Sequence, residues 1–269
     1  MPNPYFKFKQ FTVCHDRCAM KVGTDGVLVG AWAELPEEGR VLDLGTGTGL
    51  IALMAAQRCQ ALVCGIDVDE AAVEQALENV AASPWADRIR IWKQDVREMR
   101  AETDGVFDAI VSNPPYFTEK VLCPDRQRNA ARHTDGLDFD ELLEAVCRLL
   151  TERGVFSVVL PSDAGRDFIG LALRHRLYLK RQTWVHTKPG IAPKRVLMAF
   201  TKELVPFSET DHLTIETEPR VHSPEYLALV KDFYLYLGSR QILILFWPAG
   251  AECAGLISEA AGACLQWLK

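Results

Sequence analysis

Asn113-Pro114-Pro115-Tyr116 has the clearest chemical content of any stretch in this chain. Two successive prolines stiffen the backbone, so the Asn113 side-chain oxygen and the Pro114 carbonyl can be held as a rigid pair of acceptors. Such a pair suits a planar nitrogen bearing two N–H bonds. Accepting from both draws the nitrogen toward tetrahedral geometry and localises a lone pair that conjugation had spread into a ring. A weak nucleophile then becomes able to attack. Tyr116 offers a flat face for stacking a base, an interaction worth about 1–3 kcal/mol. A base stacked within a duplex cannot enter such a pocket, so the substrate base must be unpaired or flipped out.

A second constellation lies some seventy residues upstream, at Val41-Leu42-Asp43-Leu44-Gly45-Thr46-Gly47-Thr48-Gly49. It reads as a buried strand running into a glycine-rich turn. Gly45, Gly47 and Gly49 let the backbone approach a ligand closely. Their spacing is Gly-x-Gly-x-Gly, not the Gly-x-Gly-x-x-Gly of a dinucleotide site. Asp43, just before the turn, is ill suited to a phosphate and well suited to an ammonium group. S-adenosylmethionine carries an ammonium and no phosphate, and its methyl is the electrophile that a polarised nitrogen needs. Methyl transfer asks the protein chiefly for alignment. Asp67 ends the next strand, 22 residues after Gly45, where a carboxylate can accept from ribose hydroxyls. Asp69 and Glu70 are its rivals, and one of the three reads as a helix N-cap. Asp95 follows the third strand, where it can accept from the adenine amino group of the cofactor.

The elements that must position these residues alternate from Arg40 onward. Strands are expected at 40–44, 62–66, 89–93, 107–112, 155–160, 177–185 and 195–201, with helices at 50–58, 70–82, 138–151 and 163–175 between them. This alternation predicts an α/β fold: a doubly wound, mostly parallel, seven-stranded sheet. Four segments follow from the pattern: residues 1–39 before the core, the core at 40–202, a continuation at 203–237 with a strand at 212–216 and a helix at 225–237, and a compositionally distinct extension at 238–269.

Bulk properties set outer limits. The 269 residues carry a net charge of −6, which advertises no global field for nucleic acid, although a local basic face suffices for one. The first residues lack the apolar core of a signal peptide, and no run of roughly 18 apolar residues predicts a membrane span. Eight cysteines occur without a Cys-x-x-Cys pair. Cys14, His15 and Cys18 find no second ligand cluster, so reduced thiols and a cytoplasmic setting are expected, with no metal.

With both motifs placed, the chain resembles the class I, Rossmann-like S-adenosylmethionine-dependent methyltransferases of the N6-adenine type. Phe8-Lys9-Gln10-Phe11, the run from His15 to Leu28, Ser83-Pro84-Trp85-Ala86 and the run from Arg195 to Phe200 extend the likeness. They are similar to bacterial enzymes that methylate the adenine beside the anticodon of valine tRNA, and the similarity spans roughly residues 5–237. The resemblance implies that Lys21, Gly23, Thr24 and Asp25 close over the methionine end of the cofactor, with Asn113 also beside it. Taken alone, Gly23-Thr24-Asp25-Gly26 would be a turn with an Asp cap. The resemblance also implies that the loop carrying Arg126, Arg128, Arg132 and His133 faces tRNA, with Lys188, Lys194 and Arg195 as weaker candidates for the same face. A monomer or weak homodimer is expected.

Three rivals share parts of this pattern. A protein glutamine-N5 methyltransferase needs the same acceptors, but its family usually carries a helical N-terminal domain, and only 39 residues precede this core. N2-guanine or DNA-adenine methylation uses similar chemistry. A non-catalytic RNA-binding module would have no need of intact Asp43, Gly45, Asn113 and Tyr116.

Overall fold

A parallel β-α-β chain must cross over its own sheet between strands, and the points where it reverses direction decide where a ligand can sit. A computed structural model describes residues 3–18, 21–115 and 137–235 of the chain. Contacts divide the chain into one unit at Met1–Leu235 and a second at Tyr236–Lys269. The extension expected at 238–269 lies outside the described residues.

The first unit opens with a hairpin, β1 (Tyr5–Lys7) and β2 (Thr12–Cys14), and a helix, α1 (Thr24–Trp32). The alternating part follows as β3 (Arg40–Leu44), α2 (Leu50–Arg58), β4 (Leu62–Asp67), α3 (Glu70–Ala81), β5 (Ile89–Lys93), α4 (Ala101–Asp104) and β6 (Phe107–Ser112). It continues as α5 (Phe139–Leu149), β7 (Leu150–Pro161), α6 (Gly165–Arg174), β8 (Tyr178–His186), β9 (Arg195–Thr201) and β10 (Glu209–Thr214). A small hairpin, β11 (Glu216–Glu218) with β12 (Val221–His222), leads to α7 (Pro224–Val230).

The main sheet has eight strands in the order β10-β8-β9-β7-β6-β3-β4-β5. All run parallel except β9, which is antiparallel to both neighbours. The seven expected strands are present. The eighth is the strand expected at 212–216, which starts earlier, at Glu209, and pairs along the edge of β8. Strand β7 begins at Leu150, five residues before its expected start, and its register against β6 shifts between Phe107 and Ala109. Helix α5 accordingly ends at Leu149, and α7 stops at Val230 rather than running on to 237.

The core lies against both sheet faces. Leu142, Val146 and Leu149 of α5 and Phe168 of α6 pack on Phe107, Ile110, Phe156 and Phe200 of the sheet. On α1 the expected turn is instead the first turn of a helix, buried from Gly26 to Trp32. Its apolar residues show no helical periodicity because neighbours cover it all round, and that hides it from pattern reading. Gly30 permits the α1–α2 contact: a Cβ there would fall 2.8 Å from Met54 Sδ. Local signals set other helix starts. Asp138 and Glu141 form a reciprocal capping box on α5, and Asp69 caps α3 through Ala71 N at 3.0 Å.

Asn79 of α3 ties the N-terminal hairpin to the core. Its Oδ1 accepts from Cys14 N at 2.8 Å, and its Nδ2 donates to the carbonyls of Cys14 and Thr48, each at 2.9 Å. Buried backbone groups left without partners cost free energy. Asn79→Ala is therefore expected to lower unfolding free energy by about 2–4 kcal/mol in urea titrations. A loss under about 0.5 kcal/mol, the range of ordinary surface changes, would show that water replaces the amide without cost.

Candidate functional site

The chain runs from β3 out to the β5 edge and then returns to place β6 on the other side of β3. The crevice beyond the carboxyl ends of β3 and β6 is thus the switch point of the sheet. Leu44 pairs with Ser112, so the glycine turn and the Asn-Pro-Pro segment leave the sheet side by side. Ser112 Oγ, fully buried, donates to the Leu44 carbonyl at 2.9 Å and joins the two strand ends.

Gly45 and Gly47 have φ of 75° and 52°, in the left-handed region that only glycine enters without strain. Gly45 N and Thr46 N both donate to the Ile66 carbonyl, at 3.0 and 2.8 Å. Gly47 N donates to Asp67 Oδ2 at 2.9 Å. The turn is therefore clamped from the neighbouring strand β4. A Cβ on Gly45 would meet nothing within 4 Å, so the space above this residue is open.

That space belongs to a cavity of about 460 Å³. Lys21, Gly23, Thr24, Asp25, Gly45, Gly47, Asn113, Pro114 and Pro115 line it together. Gly26, Thr46, Thr48, Leu50 and Ile51 line it too. Nothing in their types marked them; their neighbours in the two motifs were the available signal. Gly26 leaves room beside Asn113, whose Nδ2 would lie 3.8 Å from a Cβ at that position. Tyr116, Arg126, Arg128, Arg132 and His133 lie outside the described residues.

Several expected site residues stand elsewhere. Asp43 is buried below the turn and does not line the cavity. Its Oδ2 accepts from Thr46 Oγ1 at 2.6 Å and Ala52 N at 3.0 Å, so it braces the turn and the start of α2. Its Oδ1 accepts no hydrogen bond among the described residues. Burial pushes this carboxyl up to about 7, the nearby Asp67 charge acting in the same direction and the two hydrogen bonds against it. Gly49 sits behind the cavity wall at the N-cap of α2, packed on Ala76.

Asp67 is not among the residues that line the cavity; it is fixed beside the glycine turn by its bond to Gly47 N and by Asp69 N on Oδ1 at 3.0 Å. Its rivals have other work: Asp69 is the N-cap of α3, and Glu70 pairs with Lys93 at 2.9 Å. Asp95 does not line the cavity. Both its oxygens are engaged by Arg97, which holds its carboxyl below the usual range. A short Asp-Val-Arg spacing made that local pair, which competes with any ligand. Lys188 and Lys194 are exposed on the β8–β9 connection, whereas Arg195 lines the cavity and donates from Nε to Asp25 Oδ2 at 2.8 Å.

The methyltransferase small domain matches residues 22–160. A tRNA1(Val) (adenine(37)-N6)-methyltransferase from Phocaeicola vulgatus is 59% identical over 235 residues, covering 87% of this chain and 99% of the relative. This chain belongs to the tRNA1(Val) (adenine(37)-N6)-methyltransferase family. Another member of that family, from Bacteroides fragilis, is 50% identical over 236 residues, covering 87% of this chain and 99% of its own. A predicted O-methyltransferase from Agrobacterium tumefaciens shares the fold, with a TM-score of 0.59 at 19% identity over 79% of this chain and 98% of that one. The cofactor of this methyltransferase family is S-adenosylmethionine, and the cavity fits it: an open glycine turn and lining charges of both signs.

The Asp43 carboxyl holds its proton in the folded chain at pH values where the unfolded chain has lost it. That contribution to stability is present at about pH 4 and is lost as pH rises through about 7. Asp43→Asn keeps an oxygen for Thr46 and Ala52 without the charge. Urea unfolding from pH 4.5 to 8, values roughly bracketing that window, should show the variant gaining on the native chain as pH rises. A pH-independent difference between the two would mean that Asp43 is ionised throughout.

Proposed function

We propose that this chain methylates N6 of adenine 37 in a valine tRNA, with S-adenosylmethionine as methyl donor. The observation that carries this is the shared cavity: Gly45 and Gly47 on one side, and Asn113, Pro114 and Pro115 on the other, meet at the switch point of a methyltransferase sheet. When bound, the cofactor supplies an electrophilic methyl group.

The protein's part is acceptance and alignment. Asn113 Oδ1 and the Pro114 carbonyl accept from the two N–H bonds of the adenine amine and turn its lone pair toward the methyl. Tyr116 stacks the flipped base, and Pro115 stiffens the segment between them. The amine needs no strong base, since it loses a proton to water once it has become cationic. The displacement needs no activated water, so the reaction calls for no metal. The Asp67 carboxylate, beside the glycine turn, accepts from the ribose hydroxyls in this reading, which its two backbone N–H bonds support by fixing its orientation. Lys21, Gly23, Thr24 and Asp25 cover the methionine end. The exposed Lys188 and Lys194, together with Arg126, Arg128, Arg132 and His133, take the tRNA backbone by charge, so binding should weaken as salt rises. A cytoplasmic setting fits Cys14, Cys59, Cys64 and Cys147, none of which is in a disulfide among the described residues, and a monomer or weak homodimer presents one such site per chain.

The direct test is transfer of labelled methyl into total tRNA from cells lacking the activity, followed by nucleoside analysis. N6-methyladenosine is the expected product; label in protein or DNA instead would favour a rival substrate. Asn113→Ala should keep cofactor affinity and lose at least about a hundredfold in turnover, the scale of removing one oriented polar group. Survival of turnover within about tenfold, only ~1.4 kcal/mol of barrier, would show that Asn113 is not the acceptor.

A further inference from the structure

Three cations close in sequence divide into two environments. Lys188 and Lys194 are exposed on the β8–β9 connection. Arg195 is the first residue of β9, and its side chain is one-third exposed, in the cavity wall. Because β9 is the antiparallel strand, its first residue pairs with Pro161 at the end of β7, the ligand end of the sheet. The backbone direction of one strand thus turns Arg195 inward, while the connection before it stays outside.

Bonds to Asp25 and to the Lys194 carbonyl help orient the guanidinium. Nε donates to Asp25 Oδ2 at 2.8 Å, and Nη1 donates to the Lys194 carbonyl at 2.9 Å. Asp25 belongs to the first turn of α1, 170 residues away in sequence, so the pair also joins the closing segment to the sheet. Lys21, Asp25 and Arg195 are the charged residues among the described lining of the cavity. A lining of mixed sign matches a zwitterion. It matches a phosphodiester less well, because Asp25 stands beside the guanidinium and repels an anion that brings no cation with it.

We infer that Arg195 recognises the carboxylate of the amino-acid end of S-adenosylmethionine, that Asp25 is the residue that positions it, and that Arg195 is not a tRNA phosphate contact. This rests on the cofactor assignment above. A guanidinium presents donors in a planar fork that matches a carboxylate, and charge-assisted hydrogen bonds of this kind are stronger in a partly buried site than at an exposed rim. Arg195 therefore sets specificity for the carboxylated cofactor.

The experiment is calorimetric binding of S-adenosylmethionine and of its decarboxylated counterpart to the full chain, Arg195→Gln and Arg195→Lys, with tRNA affinity measured at several salt concentrations. Arg195→Gln should weaken S-adenosylmethionine about ten- to hundredfold and the decarboxylated ligand by less than about threefold, with the salt slope of tRNA binding unchanged. Arg195→Lys, which keeps the charge without the fork, should fall between, and it carries the test if Arg195→Gln does not fold. Equal weakening of both ligands overturns the role, because Arg195 would then act only on cavity shape. Unchanged cofactor affinity with weaker, less salt-dependent tRNA binding also overturns it. If the unaltered chain binds neither ligand, the cofactor assignment itself falls, and this role with it.

Discussion

Parallel pairing of β3 with β6 brings together two segments some seventy residues apart, and the site exists only because of it. Leu44 opposite Ser112, closed by the buried Ser112 hydroxyl on the Leu44 carbonyl, delivers Gly45 and Asn113 to the same crevice. Both strands are central and buried on both faces, so the Ser112 tie and the tight turn after β3, rather than a one-sided apolar pattern, hold this register.

Polar ties hold the glycine turn from below and beside it, those of Asp43 and Asn79 buried. Asp43 braces Thr46 and Ala52, Asp67 takes Gly47 N, and Asn79 takes Thr48 O. Each satisfies a group that a tight turn would otherwise leave unpaired, which is why a glycine-rich segment can be held without side chains of its own. The cost falls on Asp43, whose carboxyl is kept near neutrality of charge by burial and retains one oxygen with no bond among the described residues. A turn held in this way is ordered before a ligand arrives, and less reorganisation is then needed on binding.

The other wall comes from elements outside the alternating core. The hairpin β1–β2 is fastened to α3 by Asn79, and α1 reaches β9 through Asp25 and Arg195. These contacts span 65 and 170 residues of sequence. They recruit the N-terminal segment to the ligand end of the sheet.

Local patterns determined much of this protein. Apolar runs and glycine turns marked the strands, and the two motifs named the chemistry, since a proline pair restricts its own backbone wherever it lies and glycines admit a close turn that other residues cannot make without strain. Resemblance supplied the Lys21–Asp25 segment, which periodicity would have called a turn because α1 is covered on all sides. Tertiary structure alone decided the rest. Asp43 and Asp95 occupy the strand ends that residue type and spacing suggest, but burial claims the first and Arg97 claims the second. Arg195 and Lys194 are neighbours in sequence, yet one lines the cavity and the other faces solvent. Sequence states which charges a chain owns; which of them meet a ligand depends on strand direction and on partners far along the chain, and neither is written in local spacing.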